Sequence, residues 1–452
     1  MDPMTREQQL REKPIKQLFW QFSIPAITGM LVQALYNIVD RIFIGHMPDN
    51  SALAMGGLGI ALPILFILMG FSMLFGIGSG ANISIRLGEK NHPWAQRIFS
   101  HGLVMLGISS VILVAIGLIW TDQILVLFGA TPNNLPFARD YTKIILVGNL
   151  WNTFAFAFTH MIRAEGSPKV AMISMLIGAV TNTILDPIFI FGFGMGVKGA
   201  AYATIIAQFL SFAWGMKYYL SGDNLMKMEF PKKFETRVVY GIMAIGVSPF
   251  FIQIAGSIVG ALMNNQLKLY GGELAQSAYI AFMSISQLFF MPIYGMNQGL
   301  QPIVGFNYGA RNFERVKEAN KVGLLYATIL CIIGWVLVML IPEFLVRLVT
   351  NDEEVVRLST QGLRLYESLM FLVGIQVIST NFFHSIGKAR ISFILSFLRQ
   401  FAIVGPLILF LPRILGLNGI WLATPIADVL ATIITVAFIR KEYKTLSQQA
   451  AL

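Results

Sequence analysis

Four glycines recur at a fixed distance: Gly78, Gly88, Gly102 and Gly166 each have a counterpart 221 residues later, at Gly299, Gly309, Gly323 and Gly387. The words around them agree. LGEKNHPWAQRIFSHGL (Leu87 to Leu103) lies over YGARNFERVKEANKVGL (Tyr308 to Leu324) without a gap, with Asn91 on Asn312. A 452-residue chain that repeats after 221 is two similar halves. The chain is also 56% hydrophobic and only 12% charged, with a mean hydropathy of +0.68. A soluble domain carries about a quarter charged residues, so the class is a polytopic membrane protein. Two halves of one membrane unit are a common way to build a site that opens to alternate sides.

Apolar stretches of about 20 residues cross a bilayer as helices. Twelve are predicted, from 18–45 to 418–439, six in each half. The domain plan is an N-terminal six-helix lobe (1–220), a basic linker (221–237) and a C-terminal six-helix lobe (238–452). An even helix number in each half predicts two lobes related by a pseudo-twofold axis along the membrane normal, around a central cavity.

The net charge of +10 is spread through alternate loops rather than gathered into one patch, so it argues against nucleic acid. One set of loops holds Arg86, Lys90, Arg97, Lys232, Lys233, Arg311 and Arg315, among others, while the other holds Lys198, Lys268, Arg347, Arg357 and Arg413, with a few more near helix ends. By the positive-inside rule both termini are expected in the cytoplasm, in a cell (inner or plasma) membrane protein. The polar start, MDPMTREQQLREKPIK, has no small-residue cleavage site and predicts no signal peptide. A single cysteine, Cys331, excludes an internal disulfide, and His46, His92, His101, His160 and His384 show no zinc-binding spacing. No GxxxxGK[ST] motif is present, so ATP is not expected to drive the protein.

Ionisable groups deep in a span point to function, because an unpaired charge there costs ~2.5–3.5 kcal/mol even on lenient scales. The first helix places Tyr36 and Asp40 one turn apart, and the fifth places Asn182 and Asp186 likewise. Thr204 lies near the start of the sixth. Counted at 1.5 Å per residue, Asp40, Asp186 and Thr204 share one level, roughly 8–10 Å below the outer face. Two carboxylates, an amide, a phenol and a hydroxyl at one depth suit a proton or an oxygen-coordinated cation such as Na⁺ at Asp40, Asn182, Asp186 and Thr204. The repeat aligns Pro25 with Pro249, Asp40 with Asn264 and Thr204 with Thr424, while Asp186 falls on the apolar run around Pro406. The ionisable site is thus confined to the first half. Asp428, deep in the last helix, is a candidate for substrate contact or helix glue. Gln253, Asn264 and Met291 are further cavity candidates, although methionines pack cores equally well. Glu165, Glu367 and Arg399 are placed nearer helix ends, in structural roles.

Pro25 with Tyr36 and Asp40, the GxGSGANISIRLGEKN stretch from Gly76 to Asn91, the RAEGSPK turn, and NTILDPIFIFGFGMGVKGAAYAT from Asn182 to Thr204 resemble the multidrug and toxic compound extrusion (MATE) family. The likeness covers essentially the whole chain. Confinement of the acids to the first half resembles the DinF-related branch, in which Asp40, Asn182, Asp186 and Thr204 match the cation site with Tyr36 beside it. The branch with acids in the seventh and tenth helices fits less well. The resemblance implies an antiporter, not an enzyme, exporting cationic and often aromatic small molecules in exchange for H⁺ or Na⁺, with no cofactor and functional as a monomer. A lipid-linked precursor flippase would need a larger, more basic cavity. A membrane-embedded enzyme would need a catalytic Ser/His, a protease acid pair or metal ligands, none of which is evident.

Overall fold

The computed structural model describes residues 5–45, 51–222 and 224–450. His46, residues 1–4 of the polar N-terminal stretch and Asp223 of the linker lie outside the described residues. The first half contains α1 (Arg6–Glu12), α2 (Ile15–Gly45), α3 (Ser51–Gly88), α4 (His92–Ile119), the short α5 (Thr121–Leu127), α6 (Leu135–Ala164), α7 (Pro168–Pro187) and α8 (Val197–Leu220). The second half begins with α9 (Thr236–Gly309), α10 (Phe313–Leu340), the short α11 (Pro342–Arg347), α12 (Glu353–Tyr366) and α13 (Met370–Ser385). It ends with α14 (Ala389–Phe397), α15 (Gly405–Phe410), α16 (Pro412–Leu415) and α17 (Leu417–Ala450). π-helical segments follow α7, at Ile188–Gly192, and join α14 to α15, at Leu398–Val404. No strand occurs among the described residues.

Among the described residues, nine helical stretches are long and apolar enough to cross a membrane, and α12 with α13, bent by 54° at their junction, pass the same test only as a pair. One of the nine, α9, has 74 residues, far beyond a bilayer's thickness. It is broken at Gly272 (φ 66°, ψ −162°), a backbone state that needs glycine, and so makes two passes. The 24-residue α8 is long enough for another but less apolar, with Lys198, Gln208 and Lys217 along it. The chain is an all-α, multi-pass membrane protein.

The helices gather into two compact units, Met1–Gln9 with Thr28–Gln253 (unit 1) and Leu10–Ile27 with Ile254–Leu452 (unit 2). Three helices pass from one unit to the other: α1 between Gln9 and Leu10, then α2 and α9. The switch in α2 comes just after Pro25 and the switch in α9 just after Pro249, which are repeat partners. Proline removes a backbone donor and loosens the helix where the chain changes partners. Small residues let the exchanged ends pack closely. In unit 1, a Cβ added to Gly246 of α9 would stand 2.6 Å from the carbonyl carbon of Leu74, and Asn82 donates to the carbonyl of Gly241 at 3.1 Å. In unit 2, a Cβ added to Gly299 would stand 2.7 Å from the backbone nitrogen of Ser23, and Asn307 donates to the carbonyl of Leu10 at 3.2 Å.

The linker is strapped to unit 1. Gln96 exchanges two hydrogen bonds with the backbone of Lys227, each 2.7 Å, and the amide of Leu225 donates to Glu165 at 2.9 Å. Glu165 caps α6 and is buried; burial pushes its carboxyl up to about 7, against the lowering effect of the Leu225 amide.

Candidate functional site

In unit 1, α7 carries Asn182 and Asp186 on one face, four residues apart. Pro187 follows immediately, so the helix cannot continue its regular hydrogen bonding and relaxes into the π-helical segment Ile188–Gly192. Asp186 is 0% and Asn182 2% exposed. The Asn182 amide nitrogen donates to Asp186 Oδ1 at 3.2 Å and to Thr204 Oγ1 at 3.3 Å, while the Thr204 hydroxyl donates to the carbonyl of Ala200 at 2.9 Å. Two helices, α7 and α8, are thereby tied through one amide. From α2, Asp40 interacts with Asp186 by charge and by a carboxyl–carboxyl hydrogen bond, and Tyr36 lies within the field of both acids. The side chain of Arg41, next to Asp40, lies outside the described residues.

Two carboxyl groups in contact, Asp186 buried and Asp40 half-buried, do not readily carry charge together without a counter-ion. The pair therefore holds a proton or a cation. Asn182 Oδ1 is buried and has no hydrogen-bond partner among the described residues, and only a turn of the amide would bring it to the carboxyl groups as a ligand for a cation. No group of three or more His, Cys, Asp or Glu suited to a metal ion occurs among the described residues.

Unit 2 holds the other candidates. Asn264, the repeat partner of Asp40, is exposed, and its side-chain oxygen accepts from Gln276 at 2.9 Å across the Gly272 break. Met291, also in unit 2, and Gln253, at the end of unit 1, are half-buried. Asp428 is 3% exposed, and its Oδ1 accepts from Arg399 Nε at 2.8 Å.

Two residues assigned to helix ends require correction. α12 and α13 pass as a span only together and meet at a bend after Tyr366, so Glu367 lies at the bend between them rather than near an outer helix end, 2% exposed. Arg399 lies in the π-helical segment within the pass Ala389–Leu415. Their sequence signal is the pairing of a basic and an acidic residue within apolar runs, Arg399 with Asp428. It is hidden because the pair spans two helices rather than one.

A tandem-repeat, multi-pass helical protein with a buried carboxyl site has the architecture of a secondary transporter. The MatE family profile matches residues 25–188 and 249–409, more than half of the sequence, and the chain belongs to that family of transporters. The two matched stretches begin at Pro25 and Pro249, the prolines paired by the repeat. The chain is 28% identical over 429 residues to the multidrug export protein MepA of Staphylococcus aureus, covering 93% of each. It is also 28% identical over 426 residues to MepA of Staphylococcus haemolyticus, covering 94% of this chain and 93% of that protein. A crystal structure of MATE in complex with MaL6 superposes with a TM-score of 0.93 at 25% identity, over 99% of this chain and 100% of the other. The fold is likewise that of an outward-facing multidrug resistance MATE family transporter, with a TM-score of 0.92 at 24% identity, covering 99% of this chain and 100% of that one.

Proposed function

We propose that this chain exports cationic or amphipathic drugs or toxic metabolites by alternating access, in exchange for inward flow of H⁺, as a DinF-related member of its family. The observation that carries this reading is the contact of the buried Asp186 with Asp40, backed by Asn182 and Thr204. Loading that site changes the charge of a partly buried cluster tying α2, α7 and α8 together. A cation that binds one arrangement of these helices better than another shifts the population toward it. The multidrug export relatives support the substrate class. The basic loops support a cell membrane location with both termini cytoplasmic, and a site built within one unit of one chain supports a monomer.

Proton coupling is favoured over Na⁺ by the Asn182 amide. Its nitrogen, not its oxygen, lies between Asp186 and Thr204. Na⁺ there would need the amide turned so that Oδ1 joins the carboxylates, because hard cations take oxygen ligands. A proton needs only one carboxyl oxygen.

The test is ethidium accumulation in cells expressing the wild-type chain or Asp186→Asn at equal membrane abundance. The wild type lowers accumulation, and the variant, whose amide is isosteric but does not titrate, accumulates as much as cells without the protein. Normal efflux by Asp186→Asn would refute the assignment.

A further inference from the structure

The second unit repeats the scaffold of the first with different charges. The fifth pass of each half contains a π-helical segment, Ile188–Gly192 and Leu398–Val404. The sixth pass of each follows a glycine of positive φ, Gly196 (55°) and Gly416 (59°), and carries the repeat partners Thr204 and Thr424. In the first unit two acids face each other. In the second, a guanidinium is built in.

Arg399 donates to Asp428 through Nε alone, at 2.8 Å, so the pair lacks the stronger two-pronged geometry open to a guanidinium and a carboxylate. Asp428 is deeply buried, whereas the Arg399 side chain remains 25% exposed. A charged side chain that keeps exposure within a span faces water or a cavity rather than lipid. Glu367 lies within the field of both groups, with Ser286 beside it. Its Oε1 is buried and has no hydrogen-bond partner among the described residues. With the Ser286 hydroxyl as its neighbouring donor, this carboxyl has room to accept from a further one. Aromatic rings adjoin the charges: Tyr294 lies within the field of Arg399 and Asp428, and Tyr366 is bonded to Thr424 and lies near Glu367.

We propose that Arg399 is a tethered stand-in for substrate: an organic cation displaces the guanidinium from Asp428 and is held by Asp428 and Glu367 against the tyrosine rings. The inference rests on the export reading above and names the place where its cationic substrate binds. Exchange of one cation for another keeps Asp428 neutralised throughout, which avoids a buried carboxylate without a partner. The bound cation sets its positive charge against the Glu367 carboxyl, and aromatic faces attract positive charge. An uncharged compound has nothing with which to replace Arg399, so the device selects for cations.

The test uses the purified full chain in lipid nanodiscs and two dyes, ethidium, a permanent aromatic cation, and Nile red, which is uncharged. Removing the competitor with Arg399→Gln is expected to tighten ethidium binding about tenfold and to leave Nile red within about twofold. Asp428→Asn is expected to weaken ethidium about tenfold. The double variant Arg399→Gln/Asp428→Asn leaves no unmatched charge in the pair and guards against misfolding. It should bind Nile red like the wild type, while Arg399→Gln gives no ethidium gain in this background. The proposal is overturned if Arg399→Gln binds ethidium no tighter than the wild type, or if the double variant binds ethidium as tightly as the wild type. Loss of both dyes in the wild type and in every variant would instead overturn the export reading beneath it.

Discussion

Asn182 serves two neighbours through one nitrogen, so what happens at Thr204 reports on the coupling ion. In a proton cycle Thr204 only positions the amide, and Thr204→Ala should change the response to an imposed pH gradient by no more than about twofold. If the site takes Na⁺ as a ligand set, the same variant will need a much higher Na⁺ concentration for half-maximal export. Asp40→Asn should abolish coupling, and adding Asn264→Asp should not restore it, because Asn264 is exposed and bonded to Gln276 rather than packed beside a second acid. Ethidium efflux by the double variant at wild-type rate would show the two positions to be interchangeable. Glu165 offers a separate test outside the spans. Its carboxyl ordinarily titrates near 4.5 and is held up to about 7 by burial. The folded state thus keeps a proton that the unfolded state loses. Its stabilising contribution is full below about pH 4.5, falls as pH rises, and is gone above about pH 7. The change is on the order of 3 kcal/mol at most. Thermal melts of the wild type should decline between pH 5 and 7.5 relative to Glu165→Gln, and parallel curves would contradict this.

Helices are legible in the sequence to the extent that one chain segment carries the signal. Apolar length alone locates the passes, and Gly272 divides the 74-residue α9 in two. The i, i+4 spacing of Asn182 and Asp186 exposes their shared face without knowledge of any neighbour. Glu367 and Arg399 escape the same reasoning for a physical reason. A bend after Tyr366 and a π-helical segment at Leu398–Val404 set their depth, and neither leaves a mark in hydropathy. Close packing of glycines is legible as a repeat but not as a contact. Gly246→Ala would drive a methyl group into the Leu74 backbone, which cannot swing aside, and should cost roughly 1–3 kcal/mol or more. Gly241→Ala, where an added Cβ meets nothing within 4 Å, is the control on the same helix. A melting temperature lowered equally by both changes would mean that the close approach is not responsible.

At the scale of the whole chain, the repeat predicts two halves, but not that each unit borrows the beginning of a helix from the other half. The exchange at Ile27 and Gln253 arises from long-range packing, of Ser23 on Gly299 and of Leu74 on Gly246, which a linear pattern does not encode. A fragment ending at residue 253 contains the segment of α9 that unit 1 packs, and one ending at 233 lacks it. In membranes the longer fragment should resist trypsin for markedly longer; equal lifetimes would contradict the unit boundary. The central claim is that proton loading of the Asp40–Asp186 pair drives export. Purified protein in proteoliposomes, with ethidium on one side and a pH-sensitive dye trapped inside, measures both fluxes at once under an imposed pH gradient without Na⁺. The account predicts that wild-type protein moves ethidium against the proton flow, and that Asp186→Asn moves neither. Wild-type exchange that appears only with a Na⁺ gradient, or undiminished exchange by Asp186→Asn, would contradict it.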